Sequence, residues 1–137
     1  MLILNVWISV KGLQKGAFTG VSFPYVALCP SNRKKSEFGS ILDIQDEIIR
    51  LYEEAETKGF NVGESLYTQS FFFADHALLV NTDMQNRIKE YLFCKTFSCP
   101  PFNNLQNTPA IIVDDFLIID REYKYCINKQ QEEKPDA

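Results

Sequence analysis

Residues 40–58 constrain the fold more than any other stretch of this chain, because their apolar side chains recur every three or four residues. That spacing places them in one broad stripe on an α-helix. Ser40 and Asp43 form a capping-box-like start, and Gly59 is a suitable residue just beyond the end. The apolar positions are Ile41, Ile44, Ile48, Leu51, Tyr52 and Ala55. A stripe of this width must pack against another element, so the segment predicts an amphipathic helix on a hydrophobic core.

A second helix is predicted over residues 83–97, with Thr82 and Gln85 as its capping box and Pro100 and Pro101 beyond its end. Several other segments alternate or form short apolar runs that are typical of strands. They are residues 2–10, 21–28, 66–73, 78–80, 110–113, 116–119 and 122–127. The resulting prediction is an α+β fold, with a mainly antiparallel sheet of four to five strands and two helices in the order β-β-α-β-α-β-β.

The length of 137 residues predicts one α+β domain over residues 1–128. Residues 129–137 are polar apart from the final alanine, so we expect a disordered tail. The apolar start lacks the basic region and cleavage site of a signal peptide. No stretch reaches the ~18–20 apolar residues of a membrane span. We therefore expect a cytoplasmic protein without membrane contact.

The four cysteines are Cys29, Cys94, Cys99 and Cys126. In the cytoplasm we expect them to be reduced, and three of them lie in apolar or aromatic surroundings. Cys94 and Cys99 are the one close pair, and no second cluster completes a structural zinc site. The glycines form no phosphate-binding loop. We therefore expect no metal and no cofactor, and we assign the single histidine, His76, to a turn or strand edge.

Charge is divided unevenly along the chain. Residues 1–36 carry five basic residues and no acid, whereas all 18 acidic residues follow. This asymmetry, together with the absence of a catalytic set, favours a small non-enzymatic binding protein that contacts another protein, such as an inhibitor or an immunity-type accessory protein. The predicted partner-binding residues are the acids of the first helix: Asp43, Asp46, Glu47, Glu53, Glu54 and Glu56.

Two alternative functions rest on other residues. Asp114, Glu122 and Lys124 resemble the D…E-x-K arrangement of metal-dependent nucleases, provided that Glu122 and Lys124 share one side of a strand. The basic N-terminal segment, interleaved with aromatic residues, suggests a nucleic-acid-binding module. Its candidate contacts are Lys11, Lys15, Arg33, Lys34 and Lys35. Homodimer formation through an open strand edge is a further prediction.

Overall fold

A computed structural model describes residues 1–132 and divides the chain into two compact units. One unit is continuous and covers Gly12–Val80. The other combines Met1–Lys11 with the chain from Asn81 onward. The first is called the central unit below and the second the terminal unit. The expectation of one domain over residues 1–128 stays a prediction.

The central unit contains a two-stranded antiparallel hairpin and two α-helices. Strand β1 spans Tyr25–Cys29 and pairs with β2, Lys34–Phe38. Helices α2, Ile41–Lys58, and α3, Val62–Ser70, follow, and a short 3₁₀ turn covers His76–Leu78. The core combines residues of both helices, the hairpin and the segment after α3: Ile44, Ile48, Leu51, Ala55, Leu66, Tyr67, Phe38, Ala27, Cys29 and Phe73.

An aromatic row attaches the hairpin to the segment after α3. Tyr25 stacks on Phe38 and Phe38 stacks on Phe73, each with ring centroids 5.6 Å apart. The Tyr25 hydroxyl also donates to the Phe73 carbonyl oxygen at 2.6 Å. A lone hairpin is marginally stable in water, so this packing supplies support that a larger sheet would otherwise give.

As far as Glu132, the terminal unit consists of three α-helices. Helix α1 spans Leu2–Lys11, α4 spans Thr82–Thr96 and α5 spans Ala110–Glu132. Each helix contacts the other two. Their shared core consists of Val6, Ile88, Tyr91 and Ile119, with Leu2, Leu92, Phe116 and Tyr123 packed against it. No helix within residues 1–132 has the length and apolar character needed to cross a bilayer.

The sequence-based sheet was wrong, because residues 1–132 contain two strands and five α-helices rather than four to five strands and two helices. Residues 2–10, 66–73 and 110–127 fall in or beside helices α1, α3 and α5. The predicted strand 78–80 is also absent, and its first residue belongs to the 3₁₀ turn His76–Leu78. Five consecutive residues of α1, Leu4–Ile8, are buried. A helix buried on most sides is apolar nearly throughout, so its sequence does not reveal the helical period.

Both predicted helices are present, but their starts differ from expectation. At α2 the Ser40 side chain makes no capping hydrogen bond; instead Asp43 accepts from the Gly39 N–H at 2.7 Å. At α4 the N-cap is Asn81 rather than Thr82, and Asn81 accepts from the Met84 N–H at 3.0 Å. Residues 129–132 belong to α5, and the rest of the predicted disordered tail lies outside the described residues.

The turn that follows α4 contains a residue in the left-handed region. Ser98 has φ +52°, where a side chain other than that of glycine is strained by ~1–2 kcal/mol. Replacing Ser98 with glycine should therefore raise the free energy of unfolding by about 0.5–1 kcal/mol, after the extra flexibility of glycine in the unfolded chain is subtracted. Urea denaturation measures the change.

The control for this substitution is Ser9→Gly. Ser9 is exposed within α1, where glycine should lower the free energy of unfolding by about 0.5–1 kcal/mol. The two serine-to-glycine changes are thus expected to have opposite signs. A loss of stability in Ser98→Gly would contradict the left-handed conformation of this residue.

Candidate functional site

A groove of about 730 Å³ in the central unit is the best candidate for a binding site. Three elements form it: the end of the hairpin, the C-terminal half of α2, and α3 with its flanking residues. The lining includes Leu28, Ser31, Arg33, Glu54, Lys58, Phe60 and Phe72. Leu51 and Ala55 form buried parts of the lining.

Three large apolar side chains stay exposed around this groove. Leu28 is 40% exposed, Phe60 is 60% exposed and Phe72 is 54% exposed. Phe60 lies just after the left-handed Gly59 that ends α2, and its backbone N–H donates to the Ala55 carbonyl oxygen at 2.9 Å. An apolar cluster of this kind beside a concave surface is characteristic of an interaction site.

Charges of both signs lie on the rim of the groove. Glu54 accepts from Lys58 at 2.8 Å, and Arg33 occupies the hairpin turn with φ +58°. A shallower recess next to the groove shares Ser31, Glu54 and Lys58 with it, and adds Arg50 and Glu53. The rim therefore presents no uniform field of either sign.

Glu47 sets the position of the hairpin turn against α2. Its carboxylate is fully buried, and Oε1 accepts from the Ser31 N–H at 2.9 Å. Its other oxygen, Oε2, accepts from Arg50 Nε at 2.9 Å. This hydrogen bond raises the pKa of the Arg50 guanidinium. Burial raises the pKa of the nearby Cys29 thiol, which is also within reach of Glu47.

Ser31 is held by its backbone, whereas its hydroxyl group is unused. Among the described residues, Ser31 Oγ is a buried side-chain oxygen with no hydrogen-bond partner. The residue lines both the groove and the adjacent recess. Buried polar atoms are nearly always satisfied in proteins, so an unpaired hydroxyl at this position is unusual.

The predicted acidic residues separate into three kinds of environment. Glu47 is buried and structural, which corrects the expectation of an exposed contact, and Asp43 is half-buried at the start of α2. Glu54 and Glu53 line the groove and the recess, respectively. Asp46 and Glu56 are exposed on the same helix. Two of the six predicted acids are therefore brought to the candidate site.

The predicted basic residues do not form one surface within a single unit. Lys11 ends α1 of the terminal unit, where its ammonium lies 5.6 Å from the centroid of the Trp7 ring. Arg33, Lys34 and Lys35 are exposed on the hairpin of the central unit, and Lys15 is exposed in the loop before it. Of these residues, Arg33 lines the groove.

The nuclease set occupies one helix rather than a hairpin. Asp114 and Glu122 are eight residues apart in α5, or about 12 Å along its axis. Glu122 is buried and accepts from Trp7 Nε1 at 3.1 Å, while Lys124 pairs with Asp120 at 2.9 Å. The strand geometry on which this hypothesis depended is therefore absent. No three His, Cys, Asp or Glu residues within 1–132 are grouped to hold a metal ion.

His76 opens the 3₁₀ turn and is fully buried. Its Nδ1 accepts from the Gln14 N–H at 3.4 Å, and its Nε2 lies 3.0 Å from Ser70 Oγ. With Nδ1 acting as acceptor, the proton of the neutral ring is on Nε2 and is donated to Ser70. Burial lowers the pKa of His76 and favours this neutral form. The pair thus ties the loop before the hairpin to the end of α3.

Sequence reasoning missed Phe60, Phe72 and Ser31. The triplet Phe71-Phe72-Phe73 could have indicated the groove, because one of these rings, Phe73, is fully buried while its neighbour Phe72 faces the groove. Comparison with known proteins adds no family: no protein-family model matches the chain, and neither a curated protein nor a solved structure is significantly similar to it.

Proposed function

We propose that this chain is a non-enzymatic binding protein and that the groove of the central unit receives a segment of another protein. The observation that carries the proposal is the combination of three exposed apolar side chains with a rim of mixed charge. Such a surface resembles the apolar centre and polar rim of a protein–protein interface. An inhibitor or immunity-type accessory protein is the concrete form of this function.

The chemistry of the groove defines the partner segment. Phe60 and Phe72 favour an apolar anchor side chain from the partner. Glu54 on the rim and Glu53 in the adjoining recess favour a basic residue next to that anchor.

The same surface argues against a nucleic acid as the partner. Phosphate backbones are attracted by clustered positive charge, and like charges nearby oppose them. Here Arg33 and Lys58 share the rim with Glu54, and Arg50 shares the adjoining recess with Glu53. A phosphodiester chain on the hairpin would therefore meet carboxylates as well as basic side chains.

Affinity capture from the native host, followed by mass spectrometry and titration of the captured protein, tests the proposal. Phe60→Ala and Phe72→Ala should each raise the Kd of that protein at least ~30-fold, which corresponds to about 2 kcal/mol for an aromatic anchor. The matched control is Phe93→Ala, because Phe93 is 58% exposed on α4 of the terminal unit. Its Kd should equal that of the unaltered chain.

Three outcomes would overturn the proposal. If a captured protein binds both groove variants with the same Kd as it binds the unaltered chain, it does not use this groove. Binding to an oligonucleotide that weakens steeply with salt and depends on Lys34 and Lys35 would establish the nucleic-acid alternative. The third outcome is a homodimer in light scattering with no other bound protein. The partner would then be a second copy of this chain on a strand edge, since each strand of the described hairpin has one unpaired edge.

A further inference from the structure

The end of α4 brings two cysteines together through a defined backbone motif. The Cys99 N–H donates to the Cys94 carbonyl oxygen at 3.0 Å, and the Ser98 N–H donates to the Lys95 carbonyl oxygen at 3.4 Å. Ser98 between them is left-handed. These are the two hydrogen bonds and the conformation of a Schellman motif, in which the first and last residues characteristically place their side chains in contact.

The backbone geometry is compatible with a covalent link between these residues. The Cys99 nitrogen is bonded to its own Cα atom, and the Cys94 carbonyl oxygen is two covalent bonds from its Cα atom. Because nitrogen and oxygen are 3.0 Å apart, the two Cα atoms are at most about 7 Å apart. Disulfides span Cα separations of ~4.4–6.8 Å. The Cys94 thiol also hydrogen-bonds with the Cys99 thiol. Burial, which is the larger cause, and this neighbouring thiol both raise the pKa of Cys94.

We propose that Cys94 and Cys99 form a reversible disulfide that closes the C-terminal turn of α4. Both residues are half-buried in the reduced structure, within reach of a small reagent. Cys29 and Cys126 are 2% and 0% exposed, so the chain contains two shielded thiols for comparison. The disulfide is independent of the function proposed for the central unit.

The oxidant is a low-molecular-weight disulfide such as glutathione disulfide. One cysteine thiolate attacks a sulfur of that disulfide, releases one thiolate and forms a mixed disulfide. The second cysteine thiolate then attacks the protein sulfur of the mixed disulfide, forms the Cys94–Cys99 bond and releases the second thiolate. The two cysteines lose two electrons and two protons in total, and the reagent is recovered as two thiols.

The link would restrain a wall of a second, apolar groove in the terminal unit. Pro100 and Pro101 follow Cys99 directly, and together with Leu105, Phe116 and Leu117 they line a cavity of about 310 Å³. Leu105 and Leu117 are 70% and 65% exposed. The disulfide would therefore restrain the backbone at Cys99, directly before the lining residues Pro100 and Pro101, and reduction would remove this restraint.

The test incubates the native chain with glutathione disulfide, then counts free thiols after denaturation and determines the mass. Two of the four thiols should disappear, the mass should fall by two hydrogen atoms, and peptide mapping should join Cys94 to Cys99. A reducing thiol should restore all four. Hydrogen exchange of the Cys99 amide should be slower in the oxidised form, because the link holds this N–H on the Cys94 carbonyl.

Single variants provide the control. Cys94→Ser and Cys99→Ser each retain one thiol of the pair, so each should gain the mass of one glutathione less two hydrogen atoms, as a mixed disulfide does. The proposal is overturned when the unaltered chain instead accumulates glutathione on both cysteines, or when all four thiols stay free. It is equally overturned when the recovered link involves Cys29 or Cys126.

Discussion

Replacing Trp7 with alanine should lower the free energy of unfolding by about 4 kcal/mol, because the cavity left by a buried tryptophan in a packed core is large. Trp7 is fully buried in α1, and its indole N–H donates to Glu122 Oε1 of α5 at 3.1 Å. Its ring also lies 6.0 Å from that of Tyr125, centroid to centroid. The side chain thus joins the first helix to the last.

Urea denaturation followed by far-ultraviolet circular dichroism measures this effect, since Trp7 is the one tryptophan of the chain and its fluorescence is lost on substitution. Trp7→Phe separates packing from hydrogen bonding. It keeps an aromatic ring but removes a donor from the buried Glu122 carboxylate, which should cost about 1–3 kcal/mol. The control is Leu117→Ala, at a 65% exposed position of α5. A loss below about 1 kcal/mol in Trp7→Ala would contradict the buried position.

The second large effect is expected at Glu47. Glu47→Ala removes the acceptor of the Ser31 N–H and of Arg50 Nε together, and it leaves a cavity beside the hairpin turn. Because a buried donor is then unsatisfied, the free energy of unfolding should fall by about 2–3 kcal/mol. The measurement is again urea denaturation, now with Trp7 fluorescence and circular dichroism recorded in parallel.

Two variants calibrate that result. Glu53→Ala changes an exposed acid on the same helix and should alter the free energy of unfolding by no more than about 0.5 kcal/mol. Glu47→Gln keeps one carbonyl oxygen for Ser31 but places an amide NH₂ group against the Arg50 guanidinium. Its free energy of unfolding should therefore lie between those of Glu47→Ala and Glu53→Ala. Equal stabilities of Glu47→Ala and Glu53→Ala would show that Glu47 is exposed in solution.

Helices with a clear contrast between apolar and polar faces could be predicted from the sequence. Helix α2 was expected over residues 40–58 and lies at Ile41–Lys58, and α4 was expected over 83–97 and lies at Thr82–Thr96. Both carry charged residues on one side and bury the other, so the helical period is visible. The prediction was accurate where the local pattern alone decides the structure.

Helix α5 shows why other elements were missed. Its apolar runs on either side of Asp114 and Asp115 were interpreted as two strands with a turn between them. In the helix, the inward positions recur at intervals of four and three residues: Ile112, Phe116, Ile119, Tyr123 and Cys126. Additional apolar residues, such as Ile111 and Leu117, are exposed and conceal that spacing. Only tertiary packing distinguishes the two sets.

The candidate site was predictable in part. Glu53, Glu54 and Arg33 were singled out for their charge, and the structure places them at the groove and its recess. Glu47 was assigned to the surface, although its spacing of three from Ile44 and four from Leu51 put it on the apolar stripe of α2. A charged residue in such a position indicates a buried acceptor. The exposed phenylalanines depend on the packing of distant segments, which the sequence alone does not specify.

The discontinuity of the terminal unit has a consequence for synthesis on the ribosome. Helix α1 emerges before its partners α4 and α5, which begin at Thr82 and Ala110. At a translation rate of ~5–20 residues per second, about 4–14 s pass between the synthesis of α1 and the start of α4, and the apolar surface of α1 lacks its partners during that time. The central unit is continuous and emerges in that interval, so its contacts can form while Trp7 still lacks Glu122. Nascent chains therefore expose α1 until the last helix is translated.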